Sequence, residues 1–257
     1  MAMSDGLCIT PLLGIPMVEP GNDIAALIAS GLSKSSIRPI GFDVLVIAQK
    51  IVSKAENRYV RLRDVNPSPH AYELAEKTGK DPRLVEVILS ESQSVVRFGK
   101  GVLITVHHLG FVAANAGVDQ SNVAQDDLDD RVLLLPQHPD RSADKIRAAL
   151  ENRWGVRLGI IINDSFGRPW RNGVVSVALG ASGLPAVRSL IGKPDLFGRK
   201  MRVTECGFAD QIATAASLVM GETNEGWPVI HLRGLRWSES DQSARELIRP
   251  LREDLFR

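Results

Sequence analysis

Two stretches of this chain combine acids, hydroxyls and amides in a pattern suited to a divalent cation and phosphate. In residues 160–173 an apolar run, Ile160-Ile161-Ile162, gives way to Asn163, Asp164 and Ser165, followed by Arg168 and Arg171. A run of β-branched residues reads as a buried strand, and open α/β folds collect ligands at the carboxyl ends of their strands. Mg²⁺ or Mn²⁺ takes one or two carboxylates together with phosphate oxygens, and a hydroxyl is a common further ligand. Asp164 and Ser165 supply that pair. Arg168 and Arg171 can clamp an anionic group bidentately, and Gly167 and Gly173 let the backbone turn tightly. The plainer alternative is that Asp164 caps a following turn or helix while the arginines are solvated.

A second acid stands in residues 112–123, where strand-like runs give way to Asn115-Ala116-Gly117-Val118-Asp119-Gln120-Ser121-Asn122. Asp119 is the second carboxylate, and Asn115 and Asn122 can both donate and accept. The alternative here is an Asx-rich turn bonded to its own backbone. Lys50 and Lys54 follow the apolar run 43–48. If a helix begins there, the four-residue spacing puts both ammonium groups on one face, ready for phosphate or merely for solvent.

The elements that must hold these residues read as a mixed α/β protein. Helices are expected over 23–28, 71–77, 83–89, 142–154 and 209–220, and strands over 43–48, 101–106, from 111, over 160–162 and over 229–232. Ser142 is the expected cap of its helix, with Ile146, Ala149 and Leu150 facing inward, and Asp210 is expected at the start of the last helix. No internal repeat or low-complexity linker divides the chain, so 1–257 is taken as one domain with a soft subdomain boundary near 124–131.

Composition narrows the function classes. The 257 residues are 44% hydrophobic, enough for a large core, and a net charge of +1 gives no basic field for nucleic acid. No apolar run reaches membrane-span length and no basic n-region precedes residues 7–17, so a cytoplasmic protein without a membrane or nucleic-acid partner is expected. Cys8 and Cys206 have no paired spacing. His107 and His108 are neighbours in a strand-like segment and point to opposite faces, which disfavours a shared metal. His70, His138 and His231 are isolated, and no Ser-His-Asp or Cys-His set is evident. Neither a Gly-x-x-x-x-Gly-Lys-Ser/Thr loop nor a Gly-x-Gly-x-x-Gly after a strand occurs, so any phosphate grip is built otherwise.

The ordered segments 14–23, 43–56, 115–123, 163–173 and 209–213 leading to 219–222 resemble the F420 γ-glutamyl ligase family, from about Pro11 to about Arg236. The resemblance implies an interlocked two-subdomain, homodimeric ligase that binds GTP, Mg²⁺ or Mn²⁺, and K⁺, and joins L-glutamate through its amine to the carboxylate of coenzyme F420-0. It places Ile15, Pro16, Met17, Val18, Gln49, Lys50, Lys54 and Asn122 on the nucleotide, with a further contact at Ala209 and Asp210. It places Asp119, Asp164, Ser165 and Gln211 on the metals. Gln211 stands where many relatives carry Glu, and an amide oxygen brings no charge. Arg168 and Arg171 are then candidates for the acceptor's anionic tail or the incoming glutamate. Because the chain stops at Arg257, no C-terminal flavin-binding domain is expected. A carboxylate is a poor electrophile, so activation by the γ-phosphoryl of GTP to an acyl phosphate is the expected chemistry. A metal-dependent nucleotide hydrolase and a non-catalytic nucleotide-binding module are the competing readings.

Overall fold

A computed structural model describes residues 6–123 and 130–255. The elements, in chain order, are β1 (Cys8–Pro11), α1 (Ile24–Lys34), β2 (Asp43–Ala48), α2 (Gln49–Ala55), β3 (Tyr59–Arg61), α3 (Pro69–Thr78), α4 (Pro82–Ser90), β4 (Ser92–Gly99), β5 (Val102–His107), β6 (Val112–Ala114), β7 (Arg131–Leu133), α5 (Pro139–Trp154), β8 (Leu158–Arg168), β9 (Arg171–Ser182), β10 (Val187–Ser189), β11 (Glu205–Gly207), α6 (Phe208–Met220) and β12 (Val229–Arg233). The mixed α/β class is as expected from the sequence.

The central sheet runs β1-β12-β2-β8-β9. Its one parallel pair is β2 with β8; the other pairs are antiparallel. Alternation sorts the side chains of the central strands to two cores. Leu45, Ile47, Ile160 and Ile162 pack beneath α1, α2 and α5, while Val44, Val46 and Ile161 face Phe208, Ile212 and Ala216 of α6. Because both faces are covered, the middle strands are apolar without a break, which is why 43–48 is readable from sequence.

Between α2 and α5 the chain builds a second lobe. Its core joins Ala71 and Leu74 of α3 to Val85 and Ile88 of α4 and Leu103 of β5. A smaller cluster of Leu62, Val87, Val132 and Leu134 lies under the β3–β7 pair. The two lobes are clamped by Arg58, which donates to Glu91 at 3.0 Å and to the Leu135 carbonyl at 2.9 Å. The soft boundary expected near 124–131 falls mostly on residues 124–129, outside the described residues.

Several local expectations are revised. α1 continues to Lys34, well past residue 28, because Ala29 and Leu32 prolong the buried stripe. α5 begins at Pro139, so Ser142 sits inside the first turn and donates to Glu56 at 2.5 Å instead of capping the helix. Its inward face is Ala143, Ile146 and Leu150, and Ala149 is exposed. β8 is the largest revision, continuing through Asp164 and Ser165 as half of a long hairpin with β9. That hairpin carries a register shift between Ile162 and Asn163, a bulge of the kind that re-aims side chains beside functional sites.

β9 is an edge strand, and carboxylates occupy two of its outward amides: Ala178 donates to Asp210 at 2.8 Å and Ala181 to Asp140 at 2.9 Å. Gly180 lies between them, where a Cβ would stand 2.5 Å from the Pro139 backbone, so α5 can start against the sheet only over glycine.

Candidate active site

β2 ends at Ala48, paired in parallel with Asn163, and α2 starts at the next residue. From Asp164 onward β8 therefore has β9 on one side and the first turn of α2 where β2 would have continued. This is the crevice beyond the carboxyl ends of two adjacent parallel strands, and four segments meet in it.

α2 contributes Gln49, Lys50, Ser53 and Lys54. Lys50 Nζ lies 2.7 Å from Asp119 Oδ2 and donates to Ser121 Oγ at 2.5 Å. Lys54, one turn later and largely buried, donates to the Asn122 carbonyl at 2.7 Å. Burial and then the nearby Lys50 push the Lys54 ammonium below its usual range. Two ammonium groups held this close, one of them buried, favour an anion between or above them.

The 115–123 loop is shaped by three successive left-handed residues, Asn115, Ala116 and Gly117, with φ of 52°, 51° and 68°. A Cβ on Gly117 would meet Leu135 at 2.7 Å, and Asn115 Oδ1 accepts from the Leu103 amide at 3.1 Å. This strained turn delivers Asp119 to a short ladder with Leu133. Asp119 Oδ1 accepts from the Ser121 amide at 2.7 Å. The Asx turn and the ion pair with Lys50 thus coexist. Burial pushes the Asp119 carboxyl up, but Lys50 and the Ser121 contacts outweigh it and hold it below the usual carboxylate range.

β8 contributes Asp164 and Ser165. Asp164 lies in a ladder opposite Val177, so it caps no helix. Burial, together with the charge of Asp119, raises its carboxyl to about 7, against the opposing pull of the Ser165 amide, Lys50 and Gln49. Two acids in one crevice pushed in opposite directions are a mark of a working site.

The fourth segment entered the sequence reading only as the end of the motif 219–222, with no role given to Glu222. Just past the C-terminus of α6, Glu222 Oε2 accepts from Ser165 Oγ at 2.6 Å, and the Thr223 carbonyl accepts from the Asn122 side chain at 3.2 Å. A Gly-Glu-Thr-Asn-Glu-Gly run after a helix reads as an ordinary turn, and only these long-range contacts give it a role.

The residues expected on the nucleotide divide into those at this crevice and those away from it. Residues 15–18 lie in the loop between β1 and α1, which runs alongside α2, where the Gly21 amide donates to the Ala55 carbonyl at 2.9 Å. Val18 is buried and Met17 exposed. The residues expected to make a further contact, Ala209, Asp210 and Gln211, start α6, whereas the crevice lies at its other end. Ten residues of helix separate Asp210 from Met220, roughly 15 Å. Ala209 is fully buried in the core, Asp210 holds the edge of β9, and Gln211 faces solvent. Arg168 and Arg171 pair at the far end of the β8–β9 hairpin, Arg171 exposed and Arg168 partly covered.

Among the described residues no three His, Cys, Asp or Glu side chains gather in a ready-made metal site. The donors present are oxygens in two pairs: Asp119 and Asp164, whose charges interact, and Ser165 and Glu222, hydrogen-bonded to each other. An all-oxygen, partly open set suits a hard divalent cation completed by phosphate. Beyond Phe166 a cavity of ≈ 670 Å³ opens, its lining including Phe111, Phe166, Val177, Asp210, Arg245 and Leu247.

Comparison with known proteins places the chain in a family. The chain is 43% identical over 254 residues to the coenzyme F420:L-glutamate ligase of Methanothermobacter thermautotrophicus, covering 98% of this chain and 99% of that protein. It is 46% identical over 244 residues to the protein of the same name from Methanopyrus kandleri, 93% of each chain. Against that of Archaeoglobus fulgidus it is 40% identical over 249 residues, covering 97% of this chain and 96% of the other. With residues 13–234 also matching the family described as F420-0:gamma-glutamyl ligase, the chain belongs to that family.

Proposed function

We propose that this chain is a GTP-dependent ligase that adds L-glutamate to the carboxylate of coenzyme F420-0 and extends the product with γ-linked glutamates. The observation that carries the reading is the meeting of Lys50 and Lys54 with Asp119, Asp164 and Ser165 at the ends of β2 and β8. Phosphoryl transfer needs positioning and charge neutralisation more than a protein nucleophile, and this crevice offers cations and acids with no nucleophile–base pair evident.

In this reading Lys50 and Lys54 bind the phosphates, and Gln49, Asn122 and the backbone of residues 15–18 hold the rest of the nucleotide. Asp119, Asp164, Ser165 and Glu222 would hold Mg²⁺ or Mn²⁺, which neutralises phosphate charge when bound. K⁺ as an accessory cation rests on the family resemblance alone. The acceptor carboxylate takes the γ-phosphoryl group, giving an acyl phosphate and GDP. The amine of glutamate then attacks the acyl carbon, the C–O bond to phosphate breaks, and the amide and inorganic phosphate are released. Arg168 and Arg171 are assigned to anionic groups of the acceptor or glutamate, and the cavity beyond Phe166 is assigned to the acceptor.

The working unit is proposed to be a homodimer. The segment between β10 and β11 projects Leu196 and Phe197 into solvent, 100% and 96% exposed, and apolar groups presented this way want a cover. No helix among the described residues is long and apolar enough to cross a membrane.

The test is incubation with GTP, Mg²⁺ or Mn²⁺, L-glutamate and F420-0, followed by mass spectrometry. Mass increments of one or more glutamyl units support the proposal. GTP consumption independent of glutamate and acceptor would instead identify a hydrolase, and binding without turnover a non-catalytic module.

A further inference from the structure

Ser53 has no role in the chemistry assigned above, yet its surroundings are unusual for a helical serine. It is fully buried, and Gln49, one turn earlier on α2, is 3% exposed. A serine inside a helix commonly bonds back to the carbonyl four residues before it. Ser53 Oγ instead donates to the side-chain oxygen of Gln49 at 2.9 Å. A primary amide has one accepting end and one donating end. With its oxygen taken by Ser53, the amide turns its NH₂ the other way, where it hydrogen-bonds Asp164. The opposite flip would set a carbonyl oxygen against that carboxylate, and the Ser53 hydroxyl, donating to the amide oxygen, supports the flip that avoids this.

We infer that Ser53 is a positioning residue: through the Gln49 amide it fixes the Asp164 carboxylate in the orientation that receives the divalent cation. The inference rests on the metal reading given above and concerns a residue to which that reading assigns nothing. Ser53 touches neither nucleotide nor metal. It acts only through Gln49, so its effect on the metal is read from Mn²⁺ affinity measured without nucleotide. Outer hydrogen-bond partners of metal ligands typically change affinity by roughly 10–100-fold when removed.

The test is Mn²⁺ affinity, read from the electron paramagnetic resonance signal of free Mn²⁺, for the wild type, Ser53→Ala, Ser53→Thr, Gln49→Met and the Ser53→Ala/Gln49→Met double variant. Ser53→Ala is expected to bind Mn²⁺ roughly tenfold more weakly or worse, and Ser53→Thr, which keeps the hydroxyl, to stay close to wild type. In the Gln49→Met background Ser53→Ala should add nothing, since the link is already cut. Wild-type affinity in Ser53→Ala, equal loss in Ser53→Thr, or an undiminished Ser53→Ala effect in the Gln49→Met background would each overturn the inference and leave the metal reading standing. A wild-type chain that takes up no Mn²⁺ would overturn both.

Discussion

Lys50 Nζ and Asp119 Oδ2, 2.7 Å apart, tie the first turn of α2 to a loop whose backbone is wound left-handed for three residues. The contact joins the two lobes at the crevice and sets one cation beside one acid, so each is held in place before any ligand arrives. Asp119→Asn removes the charge while keeping the shape. Its expected result is a folded protein with Mn²⁺ affinity down roughly tenfold or more and glutamyl transfer down by on the order of 10²–10³. Calorimetric metal titration beside a thermal melt checks it; full activity with metal still bound would remove Asp119 from the site.

Asp164 carries the pH dependence. Its carboxyl, raised by burial to about 7 from an ordinary 3.8, holds a proton in the folded state that the unfolded chain has lost. The folded form therefore binds more protons between these values. This contribution to stability is complete below about 3.8 and is lost as pH rises through about 7. A divalent cation competes with that proton, so Mn²⁺ affinity should climb between pH 6 and 8, by up to about tenfold per unit below the carboxyl's own value. Asp164→Asn should flatten the metal-free stability profile over the same window. An Mn²⁺ affinity unchanged between pH 6 and 8 would refute the assignment.

Glu222 and Gln211 separate the geometric site from the one expected from sequence. Glu222→Gln weakens the contact with Ser165, and Mn²⁺ affinity should fall roughly tenfold. Gln211→Ala, in solvent at the opposite end of α6, should leave it within twofold, since nothing at the crevice changes. The opposite ranking would restore the start of α6 as a metal contact.

At the far end of β2, about 17 Å along the strand from α2, Asp43 accepts from His231 at 2.8 Å and from Arg233 at 2.9 and 2.7 Å. Burial pushes this carboxyl up, but Arg233 and His231 outweigh it and hold it below the usual range. Its stabilisation is present above the ordinary carboxylate value and disappears as pH falls through the lower folded one. Asp43→Ala strands a buried His231 and an arginine and should cost about 3–5 kcal/mol in a denaturant melt. Activity per folded molecule should remain near wild type, because the network is remote from the crevice.

How much of this was legible depended on where each residue's meaning came from. β2 and the start of β8 were readable because a doubly covered strand is apolar at every position, and Asp119, Asp164, Lys50 and Lys54 followed because they stand at the ends of such runs. The continuation of β8 through Asn163-Asp164-Ser165 was not, since its polar residues are held extended only by β9. The placement of Ala209 was not readable either: a small residue at a helix start suits ligand approach and core packing equally, and here α6 lies flat on the sheet with Ala209 in the core. Glu222 could not be found locally, because its partner Ser165 is 57 residues away in the chain.

Asp140 and Asp210 give the outer border of β9 a property beyond stability. By taking the amides of Ala181 and Ala178, they fill hydrogen-bonding positions that an incoming strand would need. Around Ala178 and Ala181 that border is blocked to ladder extension, so chains cannot zip edge to edge along this stretch as they do in fibrils. Two copies meeting along this side must recognise each other through side chains, a contact whose strength and partner choice can change without disturbing the backbone that carries Asp164.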